Sequence, residues 1–349
     1  MNIIRTISLV IPAFNEEAII EPSLDAIFSY LDTKPEFKWE VVIVNDGSKD
    51  KTGDMAEKYR LKRPNLTVIH HRHNKNLGAA LRTGFENAKG EYIVTYDLDL
   101  SYSPDHIGAL IDKILETDAE MVIASPYMKG GKVTGVPKRR LMYSRVVNKM
   151  MSITSQKKLS TYTGMVRAFK ADFLKSLNLK AMDYEINPEM IYKAFILRAR
   201  IIEIPAHLDW SFQNKAGAAR MSGIRVLRGI FSGFMSGFIF RPYFFFFLIG
   251  IIMSLISLYV FIWIIINIFT IYPEISVVSN YFDDKLSEAI SIAFKTRPHA
   301  FFVGGGVLLV AMQFLSLGFL SLQNKRYFDE TFSLNTKLLR EVQKKKNES

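Results

Sequence analysis

The sequence predicts an α/β fold, a parallel sheet wrapped by helices on both faces, followed by two membrane-spanning helices. Three observations carry this expectation. Short continuous apolar runs alternate with helical patterns from Ile7 to Ala124. Two long uncharged stretches follow late in the chain. The 349 residues are 49% hydrophobic and yet carry a net charge of +11. This length suggests roughly two domains. The 26 Phe and 15 Tyr exclude a disordered polar chain. The absence of cysteine excludes disulfides, thiolate zinc sites and cysteine nucleophiles, and fits a reducing compartment. The positive charge points to an anionic partner.

The strand-like runs are ISLVIP from Ile7, WEVVIV from Trp39, LTVI from Leu66, YIVTY from Tyr92 and MVIA from Met121. Helical patterns separate them, up to about Leu31, over Lys51 to Leu61, over Leu77 to Ala88 and over Pro104 to Leu115. Continuous apolar strands between helices indicate a parallel sheet buried on both faces, whose ligands collect at the C-terminal strand ends.

The apolar excess lies further on. Pro242 to Thr270 and His299 to Leu322 hold no charge. At ~1.5 Å per helical residue, about 20 residues cross a ~30 Å hydrocarbon core. Gly304, Gly305 and Gly306 suit close packing between membrane helices. Gln213 to Arg241 contains Lys215, Arg220, Arg225, Arg228 and Arg241 and no acid, and the tail from Gln323 is also net basic. Ile271 to Pro298 has three basic and four acidic residues. The positive-inside rule then puts both flanks in the cytosol. The expected organisation is a cytosolic domain (1–212), a juxtamembrane interfacial helix (213–241), a first span (242–270), an external loop (271–298), a second span (299–322) and a basic cytosolic tail (323–349). The N-terminal apolar run is too short for a signal peptide.

Polar residues gather where the predicted strands end. These are Asn15, Glu16 and Glu17, then Asn45, Asp46, Gly47 and Ser48, then Asn76 and Gly78, then Asp97 and Asp99. Asp46 suits a base or ribose hydroxyl, or a cap on the next helix. Asp97 and Asp99 alternate along extended chain, and a divalent cation bridging them to phosphate oxygens relieves their repulsion. No Gly-x-Gly-x-x-Gly follows the first strand and no Gly-Lys-Ser/Thr loop exists, so dinucleotide oxidoreductases and P-loop enzymes lose support. His70, His71 and His73 read as loop residues.

SLVIPAFNEE, VVIVNDGSKD, NLGAALRTGF and YDLDLSYSP, in this order, resemble the family-2 inverting glycosyltransferases. With a C-terminal membrane anchor, the closest group is the polyprenyl-phosphate glycosyltransferases, of the dolichol-phosphate mannose synthase and bacterial glucosyl types. The resemblance covers about residues 6 to 220. It implies a nucleotide-sugar-binding, Rossmann-like domain of the GT-A type. It implies that Pro12, Phe14, Glu16 and Asp46 hold the nucleotide, and that catalytic Asp97 and Asp99 hold Mg²⁺ or Mn²⁺ on the donor diphosphate. Ser101 stands where mannose-synthase types often have Gln.

From Pro126 to Ser160 there are nine basic residues and no acid. No nucleic-acid module accompanies them, so a lipid phosphate is the expected anion. Arg140-Leu-Met-Tyr-Ser144 resembles the family's Arg-x-x-x-Ser acceptor motif, which makes Arg140 and Ser144 acceptor-phosphate ligands together with Arg220. A lipid monophosphate, with a second pKa near ~6, is already a nucleophile at neutral pH, so no catalytic base is required. Glu189 is the fallback base, read in preference as a first-turn helix carboxylate.

The expected partners are a UDP- or GDP-linked sugar, a polyprenyl phosphate and the membrane, with a homo-oligomer allowed and nucleic acid excluded. The expected location is a prokaryotic cytoplasmic membrane, serving the cell envelope. Rival readings are transfer to a glycan, glycolipid or protein acceptor, a processive polysaccharide synthase, which would carry Gln-x-x-Arg-Trp, and a non-enzymatic nucleotide-binding scaffold.

Overall fold

The protein is described by a computed structural model over residues 4–154, 158–211, 242–276 and 282–348. It divides into two compact units, residues 1–240 with 330–349, and residues 241–329.

The first unit is built on five strands that follow the apolar runs: β1 (Arg5–Ala13), β2 (Phe37–Asn45), β3 (Leu66–His70), β4 (Tyr92–Thr95) and β5 (Met121–Ser125). Between them run α1 (Ile20–Asp32), α2 (Thr52–Arg60), α3 (Asn76–Asn87) and α4 (Asp105–Thr117). There follow β6 (Lys132–Thr134), α5 (Lys138–Thr154), β7 (Arg167–Lys170), α6 (Ala171–Ser176), α7 (Ile186–Ile196), β8 (Ile201–Pro205) and β9 (His207–Asp209). The main sheet has the order β3-β2-β1-β4-β7-β5-β8, and β6 pairs with β9.

Alternation along β1 sorts the core. Ile7, Leu9 and Ile11 pack with Ile20, Leu24, Ile27 and Phe28 of α1, whereas Val10 packs on the other face with Ala80, Leu81 and Phe85 of α3. Each fully buried Leu, Ile or Phe contributes roughly 1.5–3 kcal/mol. This two-sided burial is why the central strands read as unbroken apolar runs.

The sheet is mixed, which corrects the expectation of a parallel one. β7 runs antiparallel to both β4 and β5, pairing Thr95 with Arg167 and Ile123 with Arg167. Its four residues, RAFK, carry no periodic signal of their own, and their place comes from the ladder groups that β4 and β5 leave open. β1 pairs with β2 on one side and β4 on the other, both parallel, with Val10 opposite Thr95. Strand order therefore reverses between β1 and β4, and a crevice opens beyond their C-terminal ends.

The second unit holds α8 (Pro242–Ile271), a 3₁₀ turn (Tyr272–Glu274), α9 (Phe282–Thr296) and the first part of α10 (Pro298–Glu348). Two stretches are long and apolar enough to cross a membrane, Pro242–Glu274 with mean hydropathy 2.7 and Pro298–Val342 with 2.0. Only 17% of either apolar window is buried, so neither packs as a core helix, and Leu255, Tyr259, Phe269, Phe302 and Leu309 are exposed. Such a surface suits membrane association. Small residues set the packing of α8 against α10. A Cβ on Gly304 would lie 3.0 Å from Val260 Cγ1, and the Ser257 hydroxyl donates to the Gly304 carbonyl at 3.0 Å. Gly305 and Gly306 face open space, so only the first of the three glycines makes the expected close approach.

Two local expectations differ. The segment 271–298 is not merely a loop, because α9 buries Ala289 and Ala293, one helical turn apart. The second span and its tail are one helix, continued past Leu322 with a Lys325–Asp329 bridge at 2.6 Å and no proline. The segment 213–241 and Arg220 lie outside the described residues.

The fold makes one sharp demand at Gly78. A Cβ there would lie 2.6 Å from the Ala181 carbonyl oxygen and the Met182 carbonyl carbon, both backbone. The Ala79 N–H donates to the Met182 carbonyl at 3.1 Å across the same contact. Gly78→Ala is expected to cost about 1–3 kcal/mol by overpacking. Chemical denaturation checks it, and an unchanged midpoint would show that the 181–183 segment yields freely.

Candidate functional site

The crevice at the β1/β4 reversal is framed by loops that lock onto one another. The Asn15 N–H donates to Ser48 Oγ at 2.9 Å, and the Lys49 N–H returns a bond to Asn15 Oδ1 at 2.9 Å. The Glu16 N–H donates to Thr52 Oγ1 at 2.7 Å and the Glu17 N–H to Asp50 Oδ2 at 3.1 Å. Asp50 also accepts the Thr52 N–H at 3.0 Å, so the side chain bonded to the first residue of α2 is Asp50 and not Asp46. The chain after β1 is thus fixed by the chain after β2, with Asn15 at φ 56 and Gly47 at φ 68 making the turns.

Three carboxylates converge in this crevice. Burial, with the charges of Asp99 and Glu16, holds the Asp97 carboxyl well above its usual range. Burial, with Asp99 and Asp50, pushes Glu16 up to about 7. The Asp99 carboxylate is oriented by the Ser101 N–H, which donates to Oδ1 at 2.9 Å, with Leu100 at φ 52 turning the chain. Hard oxygen donors that raise one another's proton affinity are the donor set a divalent cation takes. Among the described residues no group of three His, Cys, Asp or Glu is spaced to enclose an ion. These carboxylates fit part of such a cation's oxygen shell, whose other positions further oxygens would fill.

The remaining predicted residues fall into two clusters around these acids. Pro12 and Phe14 stand at the end of β1, Phe14 exposed, and Asp46 follows β2 and is buried. Across the crevice, α5 carries Arg140 and Ser144. The Arg140 guanidinium lies 4.1 Å from the centre of the Trp210 ring. Burial lowers its pKa, and Tyr184, Tyr127 and Asp99 act in the opposite sense; an arginine so placed remains charged. Ser144 Oγ accepts from the Tyr127 hydroxyl at 2.7 Å, and Asn148 Nδ2 donates to the Ser144 carbonyl at 2.8 Å.

Several residues escaped sequence reasoning. His71, read as a loop residue, is buried and bonded to Asp46 at 2.6 Å. Trp210, Tyr127 and Tyr184 surround Arg140 but belong to no motif. Arg167 is fully buried, donating to the Asn187 carbonyl at 2.9 Å and the Tyr162 carbonyl at 2.7 Å, and so pins the start of α7 to the preceding loop. Glu189 is no base. It pairs with Lys193 at 2.7 Å and accepts the Ala181 N–H at 2.8 Å, holding the 180–181 loop to α7.

Residues 8–177 match the family described as Glycosyl transferase family 2. They are a glycosyltransferase family 2 domain. The sheet with its strand-order reversal is accordingly of the GT-A type. The chain is 26% identical to dolichyl-phosphate beta-glucosyltransferase ALG5C of Trichomonas vaginalis, over 61% of this chain and 65% of that protein. It is 28% identical to polyprenol monophosphomannose synthase of Mycolicibacterium smegmatis, over 55% of this chain and 73% of that one. The chain thus spans less than two thirds of the first relative's length. A crystal structure of glucosyl-3-phosphoglycerate synthase from Mycobacterium tuberculosis with Mn²⁺, UDP and phosphoglyceric acid aligns with a TM-score of 0.46 at 21% identity. That alignment covers 59% of this chain and 69% of the other.

The acids make stability pH-dependent. With a folded pKa of about 7 against an ordinary 4.5, Glu16 keeps a proton in the folded state that the unfolded chain has released. Its contribution therefore lowers stability as pH rises through that interval. Without added cation, Glu16→Gln is expected to raise the unfolding midpoint at pH 8 and leave it nearly unchanged at pH 5. An equal shift at both values would contradict the assignment.

Proposed function

We propose that this glycosyltransferase moves a single sugar from a nucleotide diphosphate sugar to a polyprenyl phosphate at the cytoplasmic membrane face, with inversion at the anomeric carbon. The observation that carries the reading is the convergence of Glu16, Asp97 and Asp99 at the switch point, with Arg140 within electrostatic reach of Asp99. Asp97 and Asp99 are the residues that would hold Mg²⁺ or Mn²⁺, which when bound neutralises charge on the leaving diphosphate. Pro12, Phe14, Glu16 and Asp46 line the nucleotide side. Arg140, with Ser144 and Arg220, takes the acceptor phosphate.

On this reading a phosphate oxygen of the lipid attacks the anomeric carbon from the face opposite the donor diphosphate. The new C–O bond forms as the old one breaks, and the nucleoside diphosphate leaves with the bonding electrons. The nucleophile brings its own negative charge, so the protein's task is placement and charge compensation. The stacked Arg140 suits that task, because a planar guanidinium gives a phosphate two parallel donors. The relatives named for dolichyl-phosphate and polyprenol acceptors support the lipid class, and two helices long and apolar enough to cross a membrane suit a chain that works on a lipid. Basic flanks favour both ends inside and the α9 segment outside, in a cytoplasmic membrane of prokaryotic type.

The test is the purified full chain with undecaprenyl or dolichyl phosphate against UDP- and GDP-sugars, with product stereochemistry determined. A lipid-linked sugar of inverted configuration is expected, and no such product from any donor would overturn the reading. Asp99→Asn is expected to lower transfer by roughly 10²–10³-fold, in line with the loss of other transition-state charge contacts. Arg140→Ala is expected to raise the KM for lipid phosphate about tenfold or more, the scale of one charge-assisted bond, while leaving the KM for donor nearly unchanged.

A further inference from the structure

His71 follows β3 directly and is 9% exposed, against Asp46 at 3%. Both its ring nitrogens are engaged: Nδ1 lies 2.6 Å from Asp46 Oδ1, and Nε2 lies 2.9 Å from Thr83 Oγ1. An ionised carboxylate only accepts, so Nδ1 carries the proton; in the neutral ring the Thr83 hydroxyl donates to Nε2, and in the protonated ring Nε2 donates to Thr83 Oγ1. The Lys75 backbone N–H donates to the same Asp46 Oδ1 at 2.9 Å. The Asp46 main chain is fixed as well, its N–H donating to the Ala13 carbonyl at 2.9 Å and its carbonyl accepting Asn74 Nδ2 at 3.3 Å. The 73–74 backbone closes over Gly47, where a Cβ would lie 2.3 Å from the His73 carbonyl carbon. Among the described residues, the hydrogen bonds to the Asp46 side chain all end on Oδ1. Oδ2 is the oxygen left for a ligand.

We infer that His71 is a positioning residue that makes Asp46 a single-acceptor reader of the donor base, and that the base is uracil, not guanine. The inference rests on the reading above that Asp46 lies in the donor's nucleotide subsite. Uracil presents one N–H, at N3, between two carbonyls. Guanine presents two adjacent donors, N1–H and the N2 amino group, and a carboxylate meets them with two parallel bonds only when each oxygen has a lone pair open. Here Oδ1 already takes two bonds, so guanine would bring a second donor against an occupied oxygen. A buried donor left unpaired is penalised more heavily than a made bond is rewarded, which gives sites of this kind their discrimination. Two further contacts, through Thr83 and Asn74, keep the arrangement from relaxing to admit it.

The test is isothermal titration of the purified full chain with UDP and with GDP, Mg²⁺ present, and it needs no variant for its first result. UDP is expected to bind about tenfold or more tightly than GDP, the scale of one charge-assisted hydrogen bond. In His71→Ala the preference is expected to shrink severalfold, and the KM for a UDP-sugar to rise by more than kcat falls. His71→Asn should restore the preference, because its amide N–H takes the place of Nδ1–H, an outcome that a merely structural role does not give. Unfolding midpoints identify variants that fold. Equal or tighter binding of GDP by the unmodified chain, or an undiminished preference in folded His71→Ala, overturns this inference and leaves the donor reading standing. Binding of neither nucleotide overturns both.

Discussion

Three carboxylates held in one half-buried crevice are the constraint on which the rest of this structure turns. Asp99 raises the proton affinity of both Glu16 and Asp97, and Glu16 raises that of Asp97, so the folded chain holds the three together against their repulsion. The sheet supplies the rigidity for that. β1 and β4 are buried on both faces, and the pairing of Val10 with Thr95 sets which residues emerge where the strands end. Asp97 and Asp99 emerge from β4 and Glu16 from β1. On the proposed reading this electrostatic demand would be met by a cation and by the oxygens of a nucleotide diphosphate sugar.

The surrounding residues read as responses to that demand. Asn15, Ser48, Asp50 and Thr52 tie the loops after β1 and β2 to each other, so Glu16 does not swing out to solvent. Ser101 fixes one oxygen of Asp99. Arg140, stacked on Trp210, sets a cation within electrostatic reach of Asp99. Glu189 and Lys193 pair with each other, Glu189 accepting the Lys180 and Ala181 N–H groups and Lys193 donating to the Asn178 carbonyl, and the 181–183 backbone passes against α3 where Gly78 leaves room.

Much of this was legible in the sequence, for identifiable reasons. Buried central strands are written as unbroken apolar runs, so β1 to β5 could be read directly. Polar residues at their ends then marked the crevice, and the Asp97/Asp99 spacing marked two carboxylates on one side of extended chain. What stayed hidden depends on pairing across long separations. β7 is four residues long and takes its place from β4 and β5, so an all-parallel sheet was expected. His71 sits in a run of three histidines that looks like loop, and its partner Asp46 is 25 residues away. Trp210 meets Arg140 only because β9 returns to the crevice. The α9 helix was masked by a charge count that treated its segment as a connection, although Ala289 and Ala293 mark its buried face.

The most direct measurement is a Mn²⁺ titration of the purified full chain followed by electron paramagnetic resonance, with and without UDP. The account predicts one bound Mn²⁺ per chain, tighter when UDP is present, and at least about tenfold weaker in Asp97→Asn and Asp99→Asn. Mn²⁺ binding that is indifferent to both substitutions and to UDP would contradict it.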